Sequence, residues 1–267
     1  MTELLHSAAD LAARIPDGAL LALAPDYSGC AMAVVRELVR RGARDLRLLG
    51  VPQLGLQADI LIGAGCVASV EAAAVGLGEH GAAPCFQRAA LAGSLAVRDS
   101  TCPAIHAALT AAERGVPFMP LAGVLGSDLV AARPDWRVIE DPTGGGPILA
   151  VPALRPDVAL IHAEIADRDG NVWIGVRREM MTMAHAARAT LASVEELAPG
   201  PLLAGLHAAG TIPSIYVDAV AVVPGGAWPI GCGDRYPADQ AFVAAYAEAA
   251  RTAQGSARFV ESWLAGR

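Results

Sequence analysis

The chain has 267 residues, of which 54% are hydrophobic and only 18% are charged, so it can bury a large core and a disordered chain is excluded. All 20 basic residues are arginines, which excludes a Schiff-base lysine, a P-loop lysine and a lysine general base. The net charge of −7 disfavours nucleic-acid binding, and no uncharged apolar stretch of about 18 residues predicts a membrane span.

Helices and strands are predicted to alternate along the first part of the chain. In chain order they are a helix over 7–14, a strand over 19–23, a helix over 32–42 and a strand over 45–50. The short apolar run 60–62 predicts a further buried strand, with Gly63 and Gly65 turning the chain directly after it. Short loops between these elements predict a mostly parallel sheet with helices on both faces, an α/β fold in αβα layers.

The remaining elements continue this alternation. Helices are predicted over 84–91, 103–114, 180–187 and 237–252, with a last one ending at Leu264. Strands are predicted over 94–97, 116–121, 148–151, 158–162, 172–174, 190–194 and 217–223. Residues 141–147 are predicted to form a mobile flap or a hairpin tip, and the turn 167–171 makes the next strand double back. We expect one domain over 1–267.

The glycine-rich stretch 59–81 is a candidate floor for a ligand site. If 60–62 is a strand, the glycines after it place bare backbone N–H groups at its carboxyl end, where open α/β sheets bind ligands. The GxGxxA pattern over 63–68 matches a dinucleotide fingerprint, but a lone match is weak. The acid expected at the end of a second strand is missing, since Glu79 lies between glycines.

Several side chains are candidates for chemistry, each with a simpler structural interpretation beside it. Glu71 and Glu79 flank the glycine-rich stretch and could act as acid, base or nucleophile, or could be ordinary helix or surface charges. Cys102 precedes a helix, where a thiol gains thiolate character, but a small buried residue is the simpler interpretation. The histidines are scattered without a triad order, so each is expected to be structural.

The five cysteines have no CxxC or zinc spacing, so no metal site is predicted. The amino-terminal 15 residues resemble an amphipathic helix with acidic residues rather than a signal peptide. We therefore expect a cytoplasmic protein with reduced thiols.

The order and spacing of seven segments resemble the α-type subunits of family I coenzyme A transferases, especially the glutaconate CoA-transferase branch. These segments are 58–67, 76–81, 115–120, 125–129, 151–157, 162–172 and 193–197. No single segment is specific, but together they extend over nearly the full length.

The resemblance implies coenzyme A as a substrate and a β-type partner subunit, with no permanently bound cofactor. In these transferases a glutamate on the β-type chain attacks the acyl-CoA thioester, and a glutamyl-CoA intermediate then passes CoA to a small carboxylic or 3-oxo acid. The nucleophile motif is absent from this sequence, so the chain alone is expected to be inactive. The acyl donor, the acceptor acid and the stoichiometry stay open.

Four positions depart from the resemblance. The family commonly has a Gly-Gly pair after its first strand, where this chain has Ala24–Pro25. A ring-ketone hydrolase branch resembles this chain but looks to carry a glutamate at the position of Cys102 and an arginine at that of Ala122. The missing carboxylate and cation weaken a hydrolase interpretation, but two alternatives to a transferase subunit stay open. One is a subunit of a CoA-thioester hydrolase or ring-opening enzyme, and the other is a diverged subunit that only binds acyl-CoA.

The predicted site consists of a small set of residues. The catalytic candidates on this chain are Glu79 and Cys102. The residues expected to line the substrate cleft are Gly63, Gly65, Gly78, Gly126, Ser127 and Asp128.

Overall fold

The structure, a computed structural model, describes residues 2–25 and 27–266. Its centre is a sheet of ten strands, eight of which are parallel. These eight are β1 (Glu3–Leu5), β2 (Leu20–Leu23), β3 (Leu46–Gly50), β4 (Val67–Ala72), β5 (Ala96–Asp99), β9 (Val158–Ala166), β11 (Ala189–Leu197) and β13 (Ala219–Val222). They lie in the order β1-β13-β11-β9-β2-β3-β4-β5.

Two short strands extend the sheet beside β9. They are β10 (Val172–Trp173) and β12 (Thr211–Ile212), which pair antiparallel with each other. β10 also pairs antiparallel with β9 after the turn at 167–171, so the predicted reversal of the chain there is confirmed.

Helices cover both faces of the large sheet. The described helices are α1 (Ala8–Ala13), α2 (Met32–Arg40), α3 (Leu56–Gly63), α4 (Pro84–Leu91), α5 (Cys102–Glu113), α6 (Asp128–Ala132), α7 (Arg178–Ala186), α8 (Gln240–Ala249) and α9 (Ala253–Ala265). One buried cluster joins the sheet to α1, α2, α3, α8 and α9, and a second joins the opposite face to α5 and α7. The predicted αβα layering is therefore confirmed. No described helix is long and apolar enough to cross a membrane.

A small antiparallel sheet packs on the outer side of α5. Its strands are β6 (Phe118–Leu121), β7 (Arg137–Glu140) and β8 (Pro147–Pro152), in the order β6-β8-β7. Trp136, Leu149 and Val151 pack against Ala104 and Ala108 of α5. Residues 141–146 connect β7 to β8, which begins at Pro147, so of the two sequence interpretations the hairpin tip is the one that the structure contains.

A cluster of charged side chains ties this small sheet to the large one. Glu71 of β4 lies 2.8 Å from the guanidinium of Arg133 and 3.1 Å from that of Arg98. Arg133 also bonds to Asp135, and its guanidinium carbon lies 4.5 Å from the centre of the Trp136 ring. Glu71 is thus enclosed by its ion pairs, which supports the structural interpretation of this carboxylate.

The prediction of a strand at 60–62 is wrong, because these residues belong to α3. Every residue from Leu56 to Ile62 is buried, the polar Gln57 and Asp59 included, so the helix has no exposed polar face and no amphipathic periodicity for the sequence to reveal. The strand of this region is β4, which follows Gly63 and Gly65 rather than preceding them.

Candidate functional site

A cavity of about 840 Å³ opens at the carboxyl edge of the large sheet. It lies where the strand order reverses, because β2, β3 and β4 succeed one another on one side and β9, β11 and β13 on the other. Ligands bind at this switch point in open α/β sheets, where loops on the two sides leave a crevice. The volume suits a small molecule or the acyl end of a larger one.

The walls of the cavity come from segments that are far apart in the sequence. The lining residues are 27–28, 53–54, 56, 74–79, 164, 173–177, 230–231, 233, 236–238, 240 and 243. Most of this surface is apolar or glycine backbone, and the ionisable side chains are Tyr27, Glu79, Glu164, Arg177 and Tyr236. A few polar groups in an apolar crevice are typical of a site that orients a substrate.

A hydrogen-bonded network lies beside the cavity and centres on Glu195 of β11. One oxygen of Glu195 accepts bonds from His162 Nε2 at 2.7 Å and from the hydroxyl of Tyr236 at 2.6 Å. The other oxygen accepts the backbone N–H of Gly225 at 2.7 Å. His162 Nδ1 lies 2.8 Å from Ser193 Oγ, so the imidazole is held at both ends.

These bonds fix the ionisation of Glu195. Burial opposes its charge, but the bonds from His162, Tyr236 and Gly225 outweigh burial and lower the pKa of Glu195 to about 2. Because an ionised carboxylate only accepts, His162 Nε2 carries a proton. Burial and the bond to Glu195 raise the pKa of the Tyr236 hydroxyl, so it stays protonated and donates.

His162, Glu195 and Cys232 could be considered as metal ligands, since one ligand atom from each lies within 4.8 Å of the others. However, the hydrogen bonds of His162 and Glu195 already satisfy the atoms that would face an ion. Burial, and then the charges of Glu195 and Glu164, raise the pKa of the Cys232 thiol to about 12, whereas metal ligation needs a thiolate. The residues therefore fit a hydrogen-bonded network better than a metal centre.

Arg177 is the one cationic side chain among the described residues that line the cavity. Its guanidinium carbon lies 4.7 Å from the centre of the Tyr27 ring, and among the described residues its ion-pair partner is Glu179, at 3.6 Å. That distance is longer than a hydrogen bond, so the guanidinium keeps donors for a bound anion.

Of the residues predicted to form the site, Gly78 and Glu79 line this cavity. They form a single 3-10 turn after β4, and their backbone N–H groups donate to no described residue. Gly63 and Gly65 lie at the amino end of β4, the end opposite the cavity. Gly63 instead lets α3 approach its neighbours, because a Cβ there would meet Cys85 and Ser256 at 2.8 Å.

The other four predicted residues lie outside the cavity lining. Cys102 is exposed at the first position of α5, and Thr101 caps that helix by accepting the N–H of Ala104. Gly126, Ser127 and Asp128 form the turn into α6, where the Ser127 hydroxyl donates to the carbonyl of Val124 at 2.7 Å. The structure therefore does not bring these residues together with Glu79.

Local sequence patterns did not predict the residues that β9 and β10 bring to the cavity, or those that β11 places beside it. Glu164 and Glu195 lie within the segments that carried the family resemblance, yet no local motif marks either as functional. One sequence signal was available. Glu164 lies two residues after His162, and Glu195 lies two residues after Ser193. Because side chains alternate along a strand and His162 pairs with Ser193, the four side chains share one face of the sheet.

Comparison with known proteins assigns the family. The coenzyme A transferase family model matches residues 5–222, so the chain belongs to this family. A 3-oxoadipate CoA-transferase subunit from Pseudomonas knackmussii is 31% identical, over all of this chain and 95% of its own. The cholesterol ring-cleaving hydrolase IpdA subunit of Rhodococcus jostii is 32% identical, over 88% of this chain and 82% of its own.

Two solved structures share the fold. Glutaconate coenzyme A-transferase from Acidaminococcus fermentans has a TM-score of 0.88 at 28% identity, covering 98% of this chain and 89% of its own. The decarboxylase AibA/AibB has a TM-score of 0.86 at 34% identity, covering 100% of both chains. The chain spans about half (53%) of an uncharacterised Archaeoglobus fulgidus relative that is 31% identical. The predicted family and subunit type are confirmed.

Proposed function

We propose that the chain is the α-type subunit of a two-subunit CoA-transferase, and that its cavity holds the acyl group while a β-type partner supplies the nucleophilic glutamate. The observation that carries this proposal is the open cavity at the sheet switch point, in a chain similar to subunits of CoA-transferases. Coenzyme A is a substrate in this proposal. The five cysteines form no disulfide, which supports a reducing, cytoplasmic location.

The cavity supports a role in binding and orienting the acyl group. The N–H groups of Gly78 and Glu79 can donate to the oxygen of a thioester or to the anion that forms on attack. Arg177 can pair with a second carboxylate of the acyl chain, which favours dicarboxylic substrates such as those in the names of the 3-oxoadipate and glutaconate enzymes.

The test is co-expression with a β-type chain followed by a CoA-exchange assay, with succinyl-CoA as donor and 3-oxoadipate or glutaconate as acceptor. We expect exchange by the complex and none by the isolated chain. Exchange by the isolated chain, or no exchange by a well-folded complex with any short acyl-CoA, would contradict the proposal.

Two variants test the cavity within the same assay. Glu79→Gln is expected to lower turnover if the Glu79 carboxylate acts on the substrate, and unchanged turnover would leave Glu79 a role only through its backbone N–H. Arg177→Gln should raise KM for a dicarboxylic acceptor by about tenfold or more, consistent with a charge-assisted pair worth about 1.5–3 kcal/mol, and should leave KM for acetate unchanged.

A second candidate is an acyl-CoA decarboxylase or hydrolase subunit built on the same cavity. Two similarities favour it. The chain is 34% identical to the AibA/AibB decarboxylase over the full length of both chains, and 32% identical to the ring-cleaving hydrolase chain. Omitting the acceptor acid separates the candidates, because a hydrolase still releases free CoA and a decarboxylase still releases carbon dioxide. Binding of CoA without any turnover would instead support a subunit that only binds acyl-CoA.

A further inference from the structure

We propose that Glu164 is a catalytic general base on this chain, and that it exchanges a proton on the carbon next to the thioester carbonyl of a bound acyl-CoA. This activity goes beyond CoA transfer, which needs no carbon–hydrogen bond to break. The inference rests on the proposed function, since it takes the cavity to hold the acyl group.

Glu164 and Glu195 lie side by side on neighbouring parallel strands. The pairs Ala163 with Val194 and Ile165 with Glu196 bracket them in the β9–β11 register. Their environments differ, because Glu195 is held ionised by three donors, whereas Glu164 lines the cavity. When two adjacent carboxylates have such different surroundings, one serves as a fixed charge and the other can move a proton.

The surroundings of Glu164 leave its oxygens available. Among described residues its one ion-pair partner is Arg235, whose Nε lies 3.5 Å away, and Arg235 is held at 2.5 Å by Glu196. Gly233, with φ of +50°, lies so close that a Cβ there would overlap Glu164 Oε1. Glycine backbone therefore covers this carboxylate without donating to it, and its lone pairs can accept a proton.

The proposed step is a reversible proton transfer. The carbon–hydrogen bond breaks, its proton goes to Glu164, and its electron pair forms an enolate whose charge moves onto the thioester oxygen. The N–H groups of Gly78 and Glu79, which line the same cavity, can stabilise that oxygen. Return of the proton restores the acyl-CoA, so no oxidant, reductant or second substrate is required.

The test uses the complex with its β-type partner in deuterium oxide, with glutaryl-CoA as the probe and no acceptor acid. Mass spectrometry follows deuterium uptake at the carbon next to the thioester. We expect uptake by the wild-type complex and about 10²-fold slower uptake by Glu164→Gln, the lower end of what a general base contributes. Glu164→Asp, which keeps a carboxylate, should recover part of the rate.

The matched control is Glu248→Gln, which removes an exposed carboxylate that pairs with Arg251 and does not line the cavity. Its uptake rate should stay within about twofold of wild type, as for a surface pair of small energy. CoA exchange with succinyl-CoA should change far less than deuterium uptake in Glu164→Gln.

Three results would overturn the inference. The first is that the wild-type complex takes up no deuterium, and the second is that wild type and Glu164→Gln take it up equally fast. The third is that Glu164→Gln loses deuterium uptake and CoA exchange to the same extent and Glu164→Asp recovers neither. If uptake depends on Glu164 while no acceptor ever receives CoA, the transferase proposal fails and this inference stands, so the two are separable.

Discussion

Glu195→Gln should destabilise the chain by an amount that depends on pH. The hydrogen bonds of Glu195 lower its pKa from the usual 4.5 to about 2, and its side chain is only 9% exposed, so solvent screens these bonds little. With a small discount for that screening, the shift corresponds to about 2–3 kcal/mol favouring the folded state. Glutamine keeps the shape but has one acceptor oxygen, so its NH2 group must face a donor: the N–H of Gly225 or the pair His162 and Tyr236.

The sign of the pH dependence follows from the lowered pKa. The stabilisation by Glu195 is fully present above pH 4.5 and is lost as the pH falls toward 2, where the folded state also binds the proton. Glutamine does not titrate, so the difference between variant and wild type should be about 2–3 kcal/mol at pH 7 and should shrink below pH 4.5.

The assay is urea unfolding followed by tryptophan fluorescence at pH 7, 5.5 and 4. Glu196→Gln is the matched control, because this neighbour is 56% exposed and should change stability by less than about 1 kcal/mol. A Glu195→Gln variant as stable as wild type at pH 7 would refute the reasoning, as would a deficit that does not decrease between pH 5.5 and 4.

Three further predictions concern other parts of the molecule. Arg133→Ala removes the buried guanidinium that pairs with Glu71 and Asp135 and leaves Glu71 only the half-exposed Arg98, so it should cost about 1.5–3 kcal/mol in a urea titration. Arg98→Ala, at a half-exposed guanidinium, should cost less than about 1 kcal/mol, and equal losses would contradict the ion-pair account. Gly233→Ala should lower the melting temperature more than Gly18→Ala. Both glycines have positive φ, but only at Gly233 would a Cβ meet another side chain, that of Glu164. Equal melting temperatures of the two variants would argue against this close approach. One thiol of the native chain should react rapidly with a disulfide reagent at pH 8, because Cys102 is exposed and the other four thiols are buried. Cys102→Ser should remove that reaction. A rapidly reacting thiol in the variant would show that a second cysteine is accessible.

Elements with strong local signals could be predicted from the sequence. The helix that begins at Pro84 has proline at its first position, where the missing N–H costs nothing, and the structure begins and ends α4 as predicted. The turn at 167–171 could also be predicted from the sequence, because its hydrogen bonds are local. The Asp167 carboxylate accepts the backbone N–H groups of Asp169 and Asn171 within the same turn.

The apolar run 60–62 shows why local signals are insufficient. A helix buried on all sides and a buried strand have the same composition over three residues, so the run alone did not decide between them. The error moved the glycine turn at Gly63 and Gly65 to the wrong end of a strand, and with it part of the predicted site.

The candidate site could be predicted only in part. Gly78 and Glu79 were predicted because a glycine-rich loop is visible in the sequence, and both line the cavity. Glu164, Glu195 and Arg177 were not predicted, because their positions at or beside the cavity arise from the pairing of β9 with β11 and from the return of β10 along β9.

The sequence by itself determined the layered parallel fold and the family, because alternating apolar segments, short glycine and proline turns and ordered motifs are properties of the chain read in order. The tertiary structure alone decided that Glu195 accepts hydrogen bonds on both carboxylate oxygens and that Glu164 lines the cavity. Glu164 and Glu195 are about 30 residues apart in the chain, and a carboxylate's protonation depends on the donors and charges within a few ångströms of it. Only strand pairing brings those groups together.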